Sequence, residues 1–323
     1  MGLDWFTDLT GLPNDGPDVV RSGIRVKGEM LHCQANGRRL VAGRLSTPAL
    51  GDLPTPPQGP ARITVAEVVA DVRALHAAPA NAGALFQVAS QFNLLEMIGP
   101  EVPPEAGIAR YATDLTQGPA CAMACAAGTI FRAYFVPIGD RIGQSADRQL
   151  DMLADLGRFL GNEDGVLWQM RNGYALPRPG ALQSIAARIA KGDAASLARL
   201  LRVGIQQGTE VTLHGAGHLV HQVYASALPI AYAHAPAADW EPFARLVLNA
   251  AYQATFAATL ALGAKRLFLT RLGDGAFGNP SDWITDAMAA AIHSWRAAPL
   301  EVRIVSHGRA NPDNQRLLAG HGA

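Results

Sequence analysis

Three short stretches of this 323-residue chain hold the residue types best suited to chemistry. The first is Gly273-Asp274-Gly275-Ala276-Phe277-Gly278-Asn279-Pro280, which follows a strand-like run at 265–270 and precedes a helical pattern from about Ser281. Glycines so spaced supply positive φ and bare N–H groups at the carboxyl end of a strand, which suits a phosphate or diphosphate. The spacing is formally G-x-G-x-x-G. In a βαβ dinucleotide turn, however, the helix opens inside the motif and an acidic residue ends the next strand, whereas here the helix starts after the last glycine and the next strand runs into Ser306-His307. The second stretch is Ala89-Ser90-Gln91-Phe92-Asn93-Leu94-Leu95-Glu96, beyond an apolar run. Gln91 and Asn93 offer donors and acceptors suited to a ribose or an amide, or else they tie down their own loop. The third is Asp114-Leu115-Thr116-Gln117-Gly118-Pro119-Ala120-Cys121, leading into a helix of small residues up to Gly128. Unpaired N–H groups at that helix start form an anion site, and the lack of bulk lets a ligand approach the backbone.

Other reactive groups are weaker candidates. Cys121 sits in the first turn of a predicted helix, where a thiol can be activated, yet its alanine neighbours imply close packing and no nearby histidine supplies a base. His214, His218 and His221 have spacings that would suit a metal on one helix face. The flanking residues read as strands, which would point His218 and His221 to opposite faces, so no metal ion is expected and no cofactor either. The five tryptophans are scattered without interleaved basic residues and read as packing residues.

Elements that alternate between strand and helix must position these loops. Residues 1–62 read as small strands and turns, with an Asn36-Gly37 hairpin signal, and end in a Pro- and Gly-rich tract at 48–60. From residue 63 the pattern predicts helices near 65–75, 119–128, 147–160, 180–190, 194–204, 241–262 and 281–296; the first has Thr64 and Glu67 at capping-box spacing. Strands are predicted near 83–89, 165–170, 209–213, 219–226, 265–271 and 301–305. Alternation of this kind indicates a three-layer α/β/α architecture. The 27 basic residues balance 27 acidic ones, and neither sign forms runs, so neither a direct nucleic-acid grip nor a polybasic membrane contact is expected. Residues 1–20 lack the basic and apolar regions of a signal peptide, and three cysteines make no disulfide framework; a cytoplasmic location is expected.

The late segment carries a family resemblance. Asn249-Ala250-Ala251-Tyr252, the run from Ala257 to Leu269, the loop at 273–280 and the amphipathic helix after it are similar, in order, to the helix, strand, diphosphate loop and final helix of the macrodomain family of ADP-ribose-binding proteins. Phe86-Gln87-Val88-Ala89-Ser90-Gln91-Phe92-Asn93 resembles the strand ending in that family's ribose-contacting asparagine, and residues 116–128 occupy the place of its first phosphate loop and following helix. The resemblance covers residues 63–136 and 205–307, with 137–204 a helical insertion. The chain departs from the family in having Gln117-Gly118-Pro119 where consecutive glycines are usual. It also lacks the adjacent Glu-Glu pair of the poly(ADP-ribose) glycohydrolase branch, and only Asp71 stands near the place of the early acidic residue that contacts adenine.

The resemblance implies a macrodomain-like mixed sheet at 63–323 that follows an N-terminal strand-rich extension at 1–62. It further implies binding of ADP-ribose or a related nucleotide, as such or on an ADP-ribosylated macromolecule. The ligand would meet Gln91, Gln117, Gly118, Gly273, Asp274, Gly275, Ala276, Phe277 and Gly278. Hydrolysis of an ADP-ribosyl linkage would need a carboxylate at the ribose, for which Glu96 and Asp114 are nearest in sequence, with Asn93 orienting the sugar. Two alternatives stay open: a non-catalytic ADP-ribose reader, and an α/β protein for another phosphorylated metabolite. Because Arg and Lys are absent from 273–280 and 116–128, a diphosphate would rest on backbone N–H groups, and binding would depend weakly on salt.

Overall fold

Apolar runs too continuous for a half-exposed edge form the middle of a seven-stranded sheet in the computed structural model, which describes residues 5–321. In chain order the strands are β1 (Arg44–Ser46), β2 (Thr64–Val69), β3 (Leu85–Ala89), β4 (Gly204–Glu210), β5 (Leu219–Ala225), β6 (Arg266–Leu269) and β7 (Glu301–Ser306). Across the sheet their order is β1-β4-β5-β3-β6-β7-β2. From β5 to β2 neighbouring strands are parallel, and β4 is antiparallel to both β5 and β1. The five adjacent parallel strands therefore end on one side of the molecule, as does β1, and the loops that follow the parallel strands form a crevice there.

Helices cover both faces, as the α/β/α expectation requires. On one face Phe86 of β3 stacks on Phe268 of β6 at 4.4 Å and on His76 at 3.6 Å, beneath the helices Val72–Ala77 and Gln117–Ala124. On the other, the helix Ala237–Ala261 buries most of its length, and its Thr255 hydroxyl accepts a hydrogen bond from the buried Gln87 amide of β3. The Tyr252 hydroxyl of that helix donates to the Thr270 carbonyl and accepts from Leu272 N. Those two bonds fix the backbone just beyond β6, where the glycine loop begins.

The small residues of 117–130 now have a cause. Cys121, Ala124 and Cys125 face the sheet core, while Ala122, Met123, Ala126, Ala127 and Ile130 face a second core built with Trp5, Phe6, Val20, Ile24, Leu31 and Leu40. Two cores can share one thin wall only if its side chains are short: a β-carbon on Gly128 would lie 2.9 Å from the Gln206 side chain.

Local expectations fare unevenly. The hairpin at Asn36-Gly37 is present, pairing Met30–Cys33 with Arg39–Val41. The helix predicted at 65–75 is wrong. Residues Thr64–Val69 are the edge strand β2, and a helix begins only at Val72, capped by Asp71. β-Branched Val65, Val68 and Val69 favour the extended chain, and the Glu67 carboxylate accepts from the Ser306 hydroxyl and from Asn311 N instead of closing a capping box. The helix near 147–160 shrinks to Ala154–Phe159, and the strand predicted at 209–213 is Gly204–Glu210. Within 137–204 a hairpin joins Trp168–Arg171 to Tyr174–Pro177 through Asn172 and Gly173, both at positive φ. No helix among the described residues is long and apolar enough to cross a membrane.

Candidate functional site

A cleft of two adjoining cavities lies at the carboxyl ends of the parallel strands. The inner one, of about 460 Å³, opens beyond β3, β5 and β6; the outer one, of about 660 Å³, opens beyond β6, β7 and β2. Two loops border both cavities: residues 114–117 on one side, and Thr270, Arg271, Asp274 and Gly275 on the other. The two cavities meet at this waist. Gly273, Gly275 and Gly278 adopt φ of 79°, 74° and 70°, and a β-carbon on Gly273 would come within 2.6 Å of Ala227 and Asn279. Only glycine fits that turn. Asp274 caps it by accepting from Gly275 N, and pairs with Arg271 at 3.2 Å.

Glu96 is the group with the most unusual surroundings. It lines the inner cavity at 3% exposure, and neither carboxyl oxygen has a hydrogen-bond partner. Burial pushes its pKa up to about 8, although the Arg132 guanidinium and the Tyr111 hydroxyl nearby oppose the rise. Near neutral pH the protonated form is therefore favoured, on a residue that borders the cleft. The backbone aims it: Glu96 N donates to the Tyr111 hydroxyl, Met97 N to Gln91 Oε1, and Leu95 N to Asn93 Oδ1. Leu94, at the centre of this loop, has φ 64°.

Of the residues expected at the site, Gln91, Glu96, Asp114, Gln117, Gly118, Gly273, Asp274, Gly275, Ala276 and Phe277 border the cleft. Asn93 does not. Fully buried, it donates to Gln149 Oε1 and is packed by Gly173, so its amide is engaged by residues within 137–204 and not turned to either cavity. Gln91 reaches the cleft with its Oε1 taken by Met97 N, and Gln117 with both ends of its amide committed. Gln117 accepts from Ala89 N and donates to the Gln87 carbonyl, so it docks its helix on β3. Gly278 closes the turn without lining either cavity. Asp114 sits at the rim, half-buried, and accepts from the Thr116 hydroxyl and N–H. Cys121 is fully buried with its thiol pKa pushed up by desolvation, the reverse of an activated nucleophile. His218 bonds the His76 carbonyl and His221 accepts from Gly208 N; neither borders the cleft.

No family model matches the chain, and no curated protein matches it in sequence. Among solved structures it is similar to the poly(ADP-ribose) glycohydrolase of Thermomonospora curvata, with 15% identity over 94% of this chain and 95% of that one and a TM-score of 0.44. The same enzyme bound to the inhibitor ADP-HPD gives a TM-score of 0.42 at 15% identity and the same coverage. The poly(ADP-ribose) glycohydrolase of Deinococcus radiodurans in complex with ADP-ribose matches at 12% identity over 82% of this chain and 87% of that one, with a TM-score of 0.45.

Several cleft residues were not named in the sequence reading. Tyr174 and Tyr232 join the expected Phe277, from three separate segments, in an aromatic trio with centroids 5.0–5.8 Å apart at the inner cavity. Arg271 lines both cavities although buried, and its guanidinium donates to Asp274, Ser281, Thr285 and Asn314. Arg73, His307 and Arg309 border the outer cavity beside Asp71. The cleft is thus not free of fixed positive charge, as the composition of the two loops suggested. Arg271 was visible as the one charged residue between an apolar strand and the first glycine, and Tyr174 as the residue after an Asn-Gly turn.

Proposed function

We propose that this chain binds ADP-ribose along the cleft and hydrolyses an ADP-ribosyl linkage, with Glu96 as the proton-transfer group. The observation that carries this reading is the Glu96 carboxyl: buried and unpartnered on both oxygens, on a residue that borders the inner cavity. The waist between residues 114–117 and the glycine turn suits the diphosphate, with Arg271 beneath it. The outer cavity, with Asp71 and Val72 at its edge, takes the adenosine, and the inner cavity takes the second ribose against Phe277 and Tyr174. Glu96 in its neutral form donates its proton to the oxygen leaving the anomeric carbon as that bond breaks. Water forms the new bond to the same carbon, and the proton it sheds restores the acid. The cleft offers one buried carboxyl for this work, since Asp114 stands at the rim.

Titration calorimetry with ADP-ribose, AMP and NAD tests the binding. Heat with ADP-ribose is expected, and no heat with any of the three refutes the reading. Incubation with mono-ADP-ribosylated protein and with poly(ADP-ribose) then tests the chemistry: release of ADP-ribose by wild type but not by Glu96→Gln is expected. Binding with no release from either substrate makes the protein a reader.

A further inference from the structure

Behind the Glu96 loop lies a charge that no step of this reaction uses. Arg132 is fully buried, at the start of a π-helical turn, Phe131–Phe135, and turns of that kind often mark functional sites. Its guanidinium donates to the Leu94 carbonyl from Nε at 3.2 Å, to Thr129 Oγ1 at 3.0 Å and to Gln206 Oε1 at 3.4 Å, and lies 3.5 Å above the Tyr224 ring. All of those partners are neutral, and among the described residues no carboxylate forms an ion pair with Arg132. A buried cation without a counter-ion is costly. Leu94 is the strained residue of the loop that ends in Glu96, and Gln144 holds the same place by donating to the carbonyls of Asn93 and Arg132.

We infer that Arg132 is the positioning residue for Glu96: its guanidinium pins the loop at Leu94 so that the carboxyl is held beside the cleft, and it is the counter-charge against which that carboxyl ionises. The inference rests on the proposed role of Glu96. Other titratable groups around Glu96 are Tyr111 on the preceding turn, Asp114 at the rim, Cys121 on the helix Gln117–Ala124 and Tyr224 on β5. None is a cation, so Arg132 is the one positive charge that, with the Tyr111 hydroxyl, favours the carboxylate that each turnover leaves behind. It thereby keeps the acid from being too weak to give up its proton.

The test follows the Glu96 carboxyl resonance of 13C-glutamate-labelled protein with pH, assigned through Glu96→Gln. In wild type the Arg132 Nε–H resonance is expected to move with the same midpoint as the carboxyl. In Arg132→Met the carboxyl midpoint is expected to rise by roughly one unit or more; in Arg132→Lys, which keeps the charge, it stays within about half a unit. The lysine loses the Nε bond to Leu94, so kcat for ADP-ribose release falls roughly tenfold with little change in KM. An Arg132 signal indifferent to Glu96 in wild type overturns the inference even if Arg132→Met does not fold, and so does an unmoved midpoint in a folded Arg132→Met. A Glu96→Gln variant that hydrolyses at the wild-type rate refutes the proposed reaction and leaves the coupling standing. An inert Glu96→Gln with no coupling refutes the inference alone.

Discussion

Glu96 fills the space that Gly118 leaves: a β-carbon on residue 118 would stand 3.0 Å from Glu96 Cγ and 2.0 Å from the Ala89 carbonyl oxygen. The acid therefore reaches the start of the helix Gln117–Ala124 from a neighbouring loop, not from the helix itself. The bare backbone at 118 lets that helix dock directly on the end of β3.

Gly118→Ala is accordingly expected to destabilise the fold by about 1–3 kcal/mol or more, because a backbone carbonyl cannot move aside as a side chain can. It should also displace Glu96. Denaturant unfolding reports the first effect and ADP-ribose release the second; a variant as stable and as active as wild type would contradict this packing.

Glu96→Gln is expected to slow hydrolysis by roughly 10²–10⁴-fold while ADP-ribose affinity changes only a few-fold. Since the protonated form is the active one, wild-type turnover should be level below a pH of about 8 and decline above it. The same proton affects stability. The folded state keeps it up to about 8, whereas an unfolded glutamate releases it near 4.5, so stability falls as pH rises between those values. The glutamine variant should gain on wild type through that window and hold a constant advantage above it, read by denaturant titration at several pH values.

His76 has the opposite sign. It is fully buried, with Nδ1 donating to the Val72 carbonyl and Nε2 accepting from the Gln222 amide, and burial lowers its pKa to about 4. The neutral ring is the native form. Its contribution is complete above about 6.5 and is lost as pH falls toward 4. His76→Gln should be less stable than wild type at neutral pH, with the difference narrowing on acidification; a gap that does not narrow would show that the histidine is not neutral in the fold.

Asp274 places a carboxylate beside the waist where an anion is proposed to sit, partly offset by Arg271. Asn can still cap the turn, so Asp274→Asn should tighten ADP-ribose binding by roughly fivefold, the value of about 1 kcal/mol for one charge contact in water. Calorimetry showing weaker binding would place the diphosphate elsewhere.

The glycine turn was legible because its physics is local: three residues needing positive φ after an apolar strand announce themselves in sequence. The layered architecture was legible for the same reason, through alternating periodicities. The engagement of the Asn93 amide was not legible because its partner, Gln149, lies 56 residues away on a stretch whose path no local pattern gives. The edge strand β2 was mistaken for a helix because Thr64 and Glu67 imitate a capping box, and only the distant Ser306 and Asn311 decide otherwise. Glu96 was identifiable as a nearby carboxylate, but its missing partners and its dry surroundings are properties of the packed molecule.

The strand order also has a consequence for biosynthesis. β2, at residues 64–69, pairs with β7, at residues 301–306, and with no other strand of the sheet. A nascent chain therefore carries a β-branched strand with no sheet partner until residues 301–306 have left the ribosome. During elongation that segment is the one most exposed to wrong pairing, and chains halted before residue 301 should be the ones that chaperones retain.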